Sequence, residues 1–211
     1  MRRYTGPELM EDRALPSETL TRVHRDLDRI HRWLGNVDAL VRAIQTDARP
    51  VRRVLDVGCG WGGTLVRVRE KLGVEAIGVD LRPPASAPVP ILRADVTRDR
   101  LPEADVAFSL YVAHHLDPPA LAAMLRNVRR CTRRFILLDL VRHPLPLALY
   151  RAFLGPWVHR INRIDGARSV RAAYTAPELR GIAAGALQGE ARIRHTVAPF
   201  YVRQVLDISF A

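Results

Sequence analysis

The chain is nearly devoid of lysine and of cysteine. Lys71 is its sole lysine, and Cys59 and Cys131 are its only cysteines. The two thiols form no CxxC pair, which counts against a disulfide framework or a cysteine-bound zinc and fits a reducing, cytoplasmic compartment. A long apolar run is missing too. The most apolar stretch, residues 135–158, is interrupted by Asp139, Arg142, His143, Arg151 and several prolines, so no membrane span is expected. The first eight residues lack the apolar core of a signal peptide. No set of carboxylates has the spacing of a magnesium site, and no metal is expected.

What is present is an ordinary globular composition, 48% hydrophobic and 26% charged in 211 residues, which suits one domain. The net charge is +11. Such an excess attracts nucleic acid or an acidic membrane surface. Here the arginines are scattered along every helix instead of forming one tract. Replacement of lysine by arginine also follows from nucleotide bias in a genome, and nucleic acid is not the expected partner.

The chain is organised around residues 53–63, where Val54, Leu55 and Val57 run into Gly58, Gly60, Gly62 and Gly63. An amphipathic run follows at once. Strand, glycine turn, helix is the simplest pattern, and glycines let a ligand approach the main chain closely. Dinucleotides use such turns as well. Asp56, two residues before Gly58, would repel a pyrophosphate and suits a cationic or amine-bearing ligand. Asp80 ends the next apolar run, where a carboxylate can accept ribose hydroxyls. Asp95 stands where a third strand should end.

With these residues the chain resembles the class I S-adenosylmethionine-dependent methyltransferases. Val-Leu-Asp-Val-Gly-Cys-Gly-Trp-Gly (54–62) looks like their first motif, Gly-Val-Asp (78–80) the second, Ala-Asp-Val (94–96) the third and residues 105–116 the fourth, in the form of ubiquinone-biosynthesis-type enzymes. The Pro-Glu-Leu-Met-Glu-Asp segment (7–12) is similar to methyltransferases of bacterial aromatic polyketide pathways. The alternative is a cofactor-free Rossmann-like domain. The resemblance implies S-adenosylmethionine as cofactor. Asp56 would lie near its amino acid part, and Gly58, Cys59 and Gly60 would pass close to it. Asp80, with Leu81, would take the ribose. Asp95 and Val96 would hold the adenine, and Ser109 and Leu110 the methionine moiety. Trp61 could pack on the cofactor or on the N-terminal helices.

The chain order implies an α/β fold. Ser17 reads as the N-cap of an amphipathic helix with Leu20, Val23, Leu27, Ile30 and Leu34 inward, and Asn36 as the cap of a second. His24 and His31 receive no role. Strands are expected at 53–57, 74–79, 90–93, 104–109 and 134–139, with helices at 62–72 and 118–131. The proline-rich stretch 82–90 leaves little room for a helix. Alternation of this kind gives a mostly parallel, seven-stranded Rossmann-like sheet whose strand ends share one rim. A C-terminal antiparallel pair, 191–197 and 200–208, completes it. The expected division is a helical cap at 1–49, a cofactor half at 51–141, a lid at 142–174 with a helix over 145–157, and a C-terminal helix and strand pair at 175–211. Thr175-Ala-Pro-Glu178 fits a capping box.

For chemistry, methyl transfer from a sulfonium is an in-line displacement that needs alignment above all. A base is needed only when the acceptor has a proton to lose. His114 and His115 are the candidates, with one expected to face the cleft. His143, Tyr150, Trp157, Arg160 and Tyr174 are the expected contacts of a small-molecule acceptor. Asp117-Pro-Pro-Ala, a decoy for the motif of amino-group nucleic-acid methyltransferases, reads as a helix-entry turn. O-methylation of a phenolic or polyketide-like compound is favoured. The rivals are C-methylation of a quinone-like or polyketide acceptor, methylation of RNA, and non-catalytic binding of S-adenosylmethionine.

Overall fold

Alternate residues of β1 (Arg53–Val57) point to opposite sides of a sheet, and both sides are apolar. Strands apolar on both faces are the mark of a parallel sheet covered on each side. In the computed structural model, which describes residues 1–12 and 14–210, that is the arrangement found. The other strands are β2 (Glu75–Asp80), β3 (Ile91–Arg93), β4 (Ala104–Leu110), β5 (Thr132–Asp139), β6 (Ala191–Val197) and β7 (Gln204–Phe210). The sheet order is β3-β2-β1-β4-β5-β7-β6; β7 pairs antiparallel with both β5 and β6, and the other pairings are parallel.

Leu55 and Val57, with Ala107 of β4 and Phe135 and Leu137 of β5, meet α4 (Pro118–Val128) and α7 (Ala176–Leu187). Val54, Val106, Phe108 and Ile136 meet α2 (Asn36–Gln45) and α3 (Gly63–Leu72) on the other side. No helix lies between β2 and β3, as the prolines there require. The capping box of Thr175 and Glu178 is formed, and Asp117 caps α4 by accepting from the Ala120 N–H at 2.8 Å.

Several local expectations are corrected. Ser17 is the first residue of α1 (Ser17–Trp33) and Pro16 its cap. Left-handed Gly35, not Asn36, caps α2, because the Asn36 side chain is taken up by tertiary partners. The last strand begins at Gln204, since Pro199–Tyr201 forms a 3₁₀ turn. The expected helix over 145–157 is a composite: α5 (Pro144–Leu149), a π-helical turn (Tyr150–Leu154) and a 3₁₀ turn (Gly155–Trp157), with Pro156 in the last. A further helix, α6 (Arg160–Ala172), was not expected, its apolar period being broken by Asn162, Asp165 and Ser169. Those polar residues are buried against the N-terminal region. Asn162 Nδ2 donates to the Val23 carbonyl, and Asp165 accepts from the Leu9 and Met10 N–H groups at 2.8 Å each.

Candidate active site

Parallel strands bring Asp56, Asp80, Asp95, Ser109, Leu110 and Asp139 to one rim at their carboxyl ends. The turn after β1 carries Gly58, Gly60 and Gly62 at φ of 79°, 55° and 78°. A Cβ on Gly60 would meet nothing within 4 Å, so its backbone is open to approach. A Cβ on Gly58 would lie 2.6 Å from Val112, which places the loop after β4 directly on the turn. Asp80 ties the turn to the tip of β2: one carboxylate oxygen accepts the Gly60 N–H and the other the Arg82 N–H, both at 2.8 Å. Leu81 beside it is 58% exposed.

Asp56 is buried, and its Oδ1 has no hydrogen-bond partner. Burial, and then the charge of Asp80, hold its carboxyl well above the usual carboxylate range. A buried acceptor left without a donor calls for one from a ligand, and a cation would ease the crowding of two carboxyls. Asp95 is fastened differently: the Thr97 hydroxyl and N–H both donate to it, which holds its carboxyl below the usual range. Val96 is buried, its carbonyl accepting from Asn127. The Ser109 hydroxyl donates to the Val57 carbonyl at 2.9 Å, inside the sheet. Cys59 turns its sulfur onto Gly78, where a Cβ would lie 2.4 Å from it. Burial pushes that thiol up, so the cysteine is inert packing.

Trp61 stacks on His24 of α1 with ring centroids 4.2 Å apart. Of the two sequence alternatives, the N-terminal helices are the one realised. α1 passes so close to the turn that a Cβ on Gly63 would lie 2.6 Å from Asp28.

The second half of the site is the loop 111–116. Tyr111 is left-handed at φ 59°, and its hydroxyl accepts from Asn36 Nδ2 at 3.0 Å. Asn36 also meets His31 Nδ1 at 3.1 Å and accepts from Arg203. His114 and His115 follow in a 3₁₀ turn, Ala113–His115, with His114 buried and His115 exposed. Asp139, at the tip of β5, accepts the His114 N–H at 3.0 Å, approaches His114 Nδ1 at 2.7 Å and accepts the Leu140 N–H at 2.6 Å. A carboxylate on Nδ1 fixes the proton there and leaves Nε2 as the acceptor.

Nε2 points at the N-terminal arm, lying 4.0 Å from Glu8 Oε1. The arm is held at several points. Arg3 donates to the carbonyls of Ala172 (2.7 Å) and Leu116 (2.8 Å) and lies 4.0 Å over the Tyr174 ring. Glu8 accepts from the Ser169 hydroxyl. One ligand atom each from Glu8, His114 and His115 lies within 4.8 Å of the others, a cation-competent set that the sequence spacing did not reveal.

The expected acceptor contacts are dispersed. His143 caps α5 through the Leu145 N–H and stacks on Tyr201 at 4.0 Å. Tyr150 is buried; its hydroxyl donates to the Asn162 carbonyl, and its ring fills the space left by Gly166. Trp157 is 71% exposed, and Arg160 is exposed. Tyr174 alone adjoins the histidine loop, donating to the Leu116 carbonyl at 2.7 Å. Sequence reasoning missed Glu8 and gave Asp139 no role. For Asp139 a signal existed, since it ends a strand on the same rim. For Glu8, 106 residues from His114, there was none.

His31 offers a test of this packing. Burial pushes its pKa from 6.5 down to about 4. The unfolded chain therefore takes up a proton first as pH falls, and stability should be lost between about pH 6.5 and 4. His31→Gln should flatten that part of a plot of Tm against pH; an unchanged slope would place the titration elsewhere.

A family model described as a methyltransferase domain matches residues 54–134. Among solved structures, the plantazolicin methyltransferase BpumL, in complex with a pentazolic desmethylPZN analogue and SAH, is 13% identical, with 92% of each chain covered and a TM-score of 0.69. Magnesium protoporphyrin IX methyltransferase (ChlM) from Synechocystis PCC 6803, with bound SAH, is 17% identical over 96% of this chain and 91% of that one, with a TM-score of 0.57. The methyltransferase domain of bacterial CtHen1-C is 15% identical over 83% and 97%, with a TM-score of 0.63. These likenesses establish a shared fold.

Proposed function

We propose that the chain is a class I S-adenosylmethionine-dependent methyltransferase and that its acceptor is a small phenolic or polyketide-like compound methylated on oxygen. The observation that carries the reading is His114, buried on the rim with Nδ1 held by Asp139 and Nε2 facing Glu8 of the arm at 4.0 Å, so that an acceptor hydroxyl would enter between Nε2 and the arm. S-adenosylmethionine supplies an activated methyl group when bound. The chain's own residues fit it: the orphaned oxygen of Asp56 suits its ammonium, the open backbone at Gly60 allows close approach, and Asp80 suits the ribose hydroxyls. We assign Asp95 and Val96 to the adenine, and Ser109 and Leu110 to the methionine chain, the Ser109 hydroxyl itself being spent on the Val57 carbonyl and keeping β4 on β1. The protein aligns the acceptor oxygen with the donor, excludes water beneath the arm, and takes the phenolic proton onto His114 Nε2. His115, on the exposed side of the turn, is the lesser candidate.

A phenol must lose its proton as the new C–O bond forms, whereas a carbon acceptor that is already nucleophilic depends less on this base. Wild type should methylate phenols with kcat/KM rising with pH, as detected by mass spectrometry of labelled product. His114→Gln should lose about 10²–10⁴-fold on weakly acidic phenols and recover on phenols acidic enough to ionise unaided. Equal loss on both would sink the base role. A second reading follows from Glu8, His114 and His115: a bound divalent cation would polarise the acceptor oxygen instead. It predicts that chelators abolish turnover and that a divalent ion restores it; the base reading predicts no effect of either.

The +11 charge is the case for RNA. A concavity of about 1240 Å³, lined by Arg49, Arg52, Arg126 and Arg130, lies at the amino-terminal ends of β1, β4 and β5. An acceptor atom held there faces the end of the sheet opposite the donor rim.

A further inference from the structure

The segment 144–157, between β5 and α6, is apolar on both sides. Its inner side, Pro146, Tyr150 and Gly155, is buried. Its outer side is Leu145, Ala148, Ala152, Phe153, Pro156 and Trp157, all exposed, with Arg151 the one charge among them. Phe153 is 67% exposed and Trp157 71%. An ordinary surface helix turns a polar face to water; this one does not. The tip of the β6–β7 hairpin joins it, because His143 stacks on Tyr201 at 4.0 Å. That tip exposes Val197, Phe200 and Tyr201, at 38%, 65% and 44%. Phe200 and Tyr201 are both left-handed, at φ of 58° and 57°. L-residues are strained in that region, and such strain gathers where a segment serves a function.

Charge decides what would cover this face. From residue 140 to residue 164 the sequence contains no aspartate or glutamate but has Arg142, Arg151, Arg160 and Arg163. From 191 to 206 it again has none, with Arg192, Arg194 and Arg203. Arg151, Arg160, Arg163, Arg192 and Arg194 are exposed. Glu178 pairs with Arg142, and Asp207 stands opposite Arg194 in the strand register. Within the two stretches themselves the aromatic and aliphatic side chains are accompanied by arginine and by no acid, which matches a surface that is apolar inside and anionic at its boundary. We infer that this face docks on an anionic lipid surface, with Phe153, Trp157 and Phe200 entering the acyl boundary and the arginines pairing with headgroups. No helix among the described residues is long and apolar enough to cross a membrane, so the attachment is peripheral. The inference goes beyond the acceptor assignment and stands or falls without it, since docking is read without any acceptor present.

The test is cosedimentation of the full-length protein with vesicles of pure phosphatidylcholine or of phosphatidylcholine with a third phosphatidylglycerol. The bound fraction should be high only on the mixed vesicles and should fall as salt is raised. Because the three apolar residues are exposed, their variants should keep the wild-type Tm and circular dichroism. Phe153→Ser with Trp157→Ser, and separately Phe200→Ser, should each lower partitioning more than about tenfold. Arg151→Glu with Arg160→Glu should do so on anionic vesicles. Lipids brominated on the acyl chain should quench wild type more than Trp157→Phe. No binding to anionic vesicles at low salt would overturn the proposal, as would equal binding by all variants. A concentration-dependent dimer in sedimentation velocity, lost in the Phe153/Trp157 variant, would overturn it in favour of a second copy of the chain.

Discussion

Asp80→Ala should reduce binding of S-adenosylmethionine by at least about 100-fold in a calorimetric titration, since it removes a charge-assisted hydrogen-bond acceptor and its support at once. In the proposed reading this carboxylate accepts the ribose hydroxyls. It also accepts the Gly60 and Arg82 N–H groups at 2.8 Å each, so one side chain both meets the ligand and fixes the glycine turn against β2. The unliganded variant should lose stability too, by about 1–2 kcal/mol, because two backbone donors lose charge-assisted partners. Asp80→Asn separates the two roles. Its amide oxygen can still accept from one of these N–H groups while its NH₂ faces the other, so its Tm should lie between those of wild type and Asp80→Ala while its affinity falls as far as that of Asp80→Ala. Ligand stabilises only what it binds; the cofactor should therefore raise the Tm of wild type and leave Asp80→Ala unmoved. Wild-type affinity in Asp80→Ala would remove Asp80 from the site and leave it as a turn anchor alone.

Asp139→Asn should cost catalysis more than folding. Asp139 is buried and serves three donors: the His114 N–H, the Leu140 N–H and His114 Nδ1. An asparagine has one acceptor oxygen and an amide NH₂ that donates. With one donor facing another, His114 either adopts the other tautomer, carrying its proton on Nε2 where the acceptor's proton should go, or turns away. On weakly acidic phenols the loss in kcat/KM should be about 10²–10⁴-fold, with acidic phenols again spared. Asp139→Ala should in addition lose roughly 2–4 kcal/mol of stability, since buried donors are left unpaired. A purely structural Asp139 would lower the Tm in both variants without this dependence on the phenol's acidity, so the pattern across acceptors is the readout.

The N-terminal arm shows where sequence reasoning stops. Residues 1–16, with Pro7 and Pro16, have no periodicity and read from the sequence only as an arm. In the fold, Arg3 reaches Leu116 and Ala172, Glu8 reaches Ser169, and the arm closes over His114. Nothing within four residues of Arg3 or Glu8 encodes these contacts. α6 was missed for the same reason: Asn162, Asp165 and Ser169 look like interruptions of an apolar stripe, yet each has a partner on the arm or α1. Buried polar residues are invisible to a hydrophobic period because their partners lie more than a hundred residues away.

By itself, then, the sequence determined what depends on neighbours along the chain. The glycine turn, the capping box at Thr175, the helix entry at Asp117 and the strands with their acidic ends are written in residues one to four apart. Alternation of β and α elements carries those ends to one rim, because each helical or loop crossover brings the chain back to start the next strand parallel to the last. Only the tertiary structure decided which side chains on that rim face each other. It buried His114 and exposed His115, gave Asp139 to the imidazole, turned Trp61 onto His24 and placed Glu8 within 4.0 Å of a histidine 106 positions on. Such pairings follow from how closely packed layers close on one another, and packing is a property of the whole chain, not of any stretch of it.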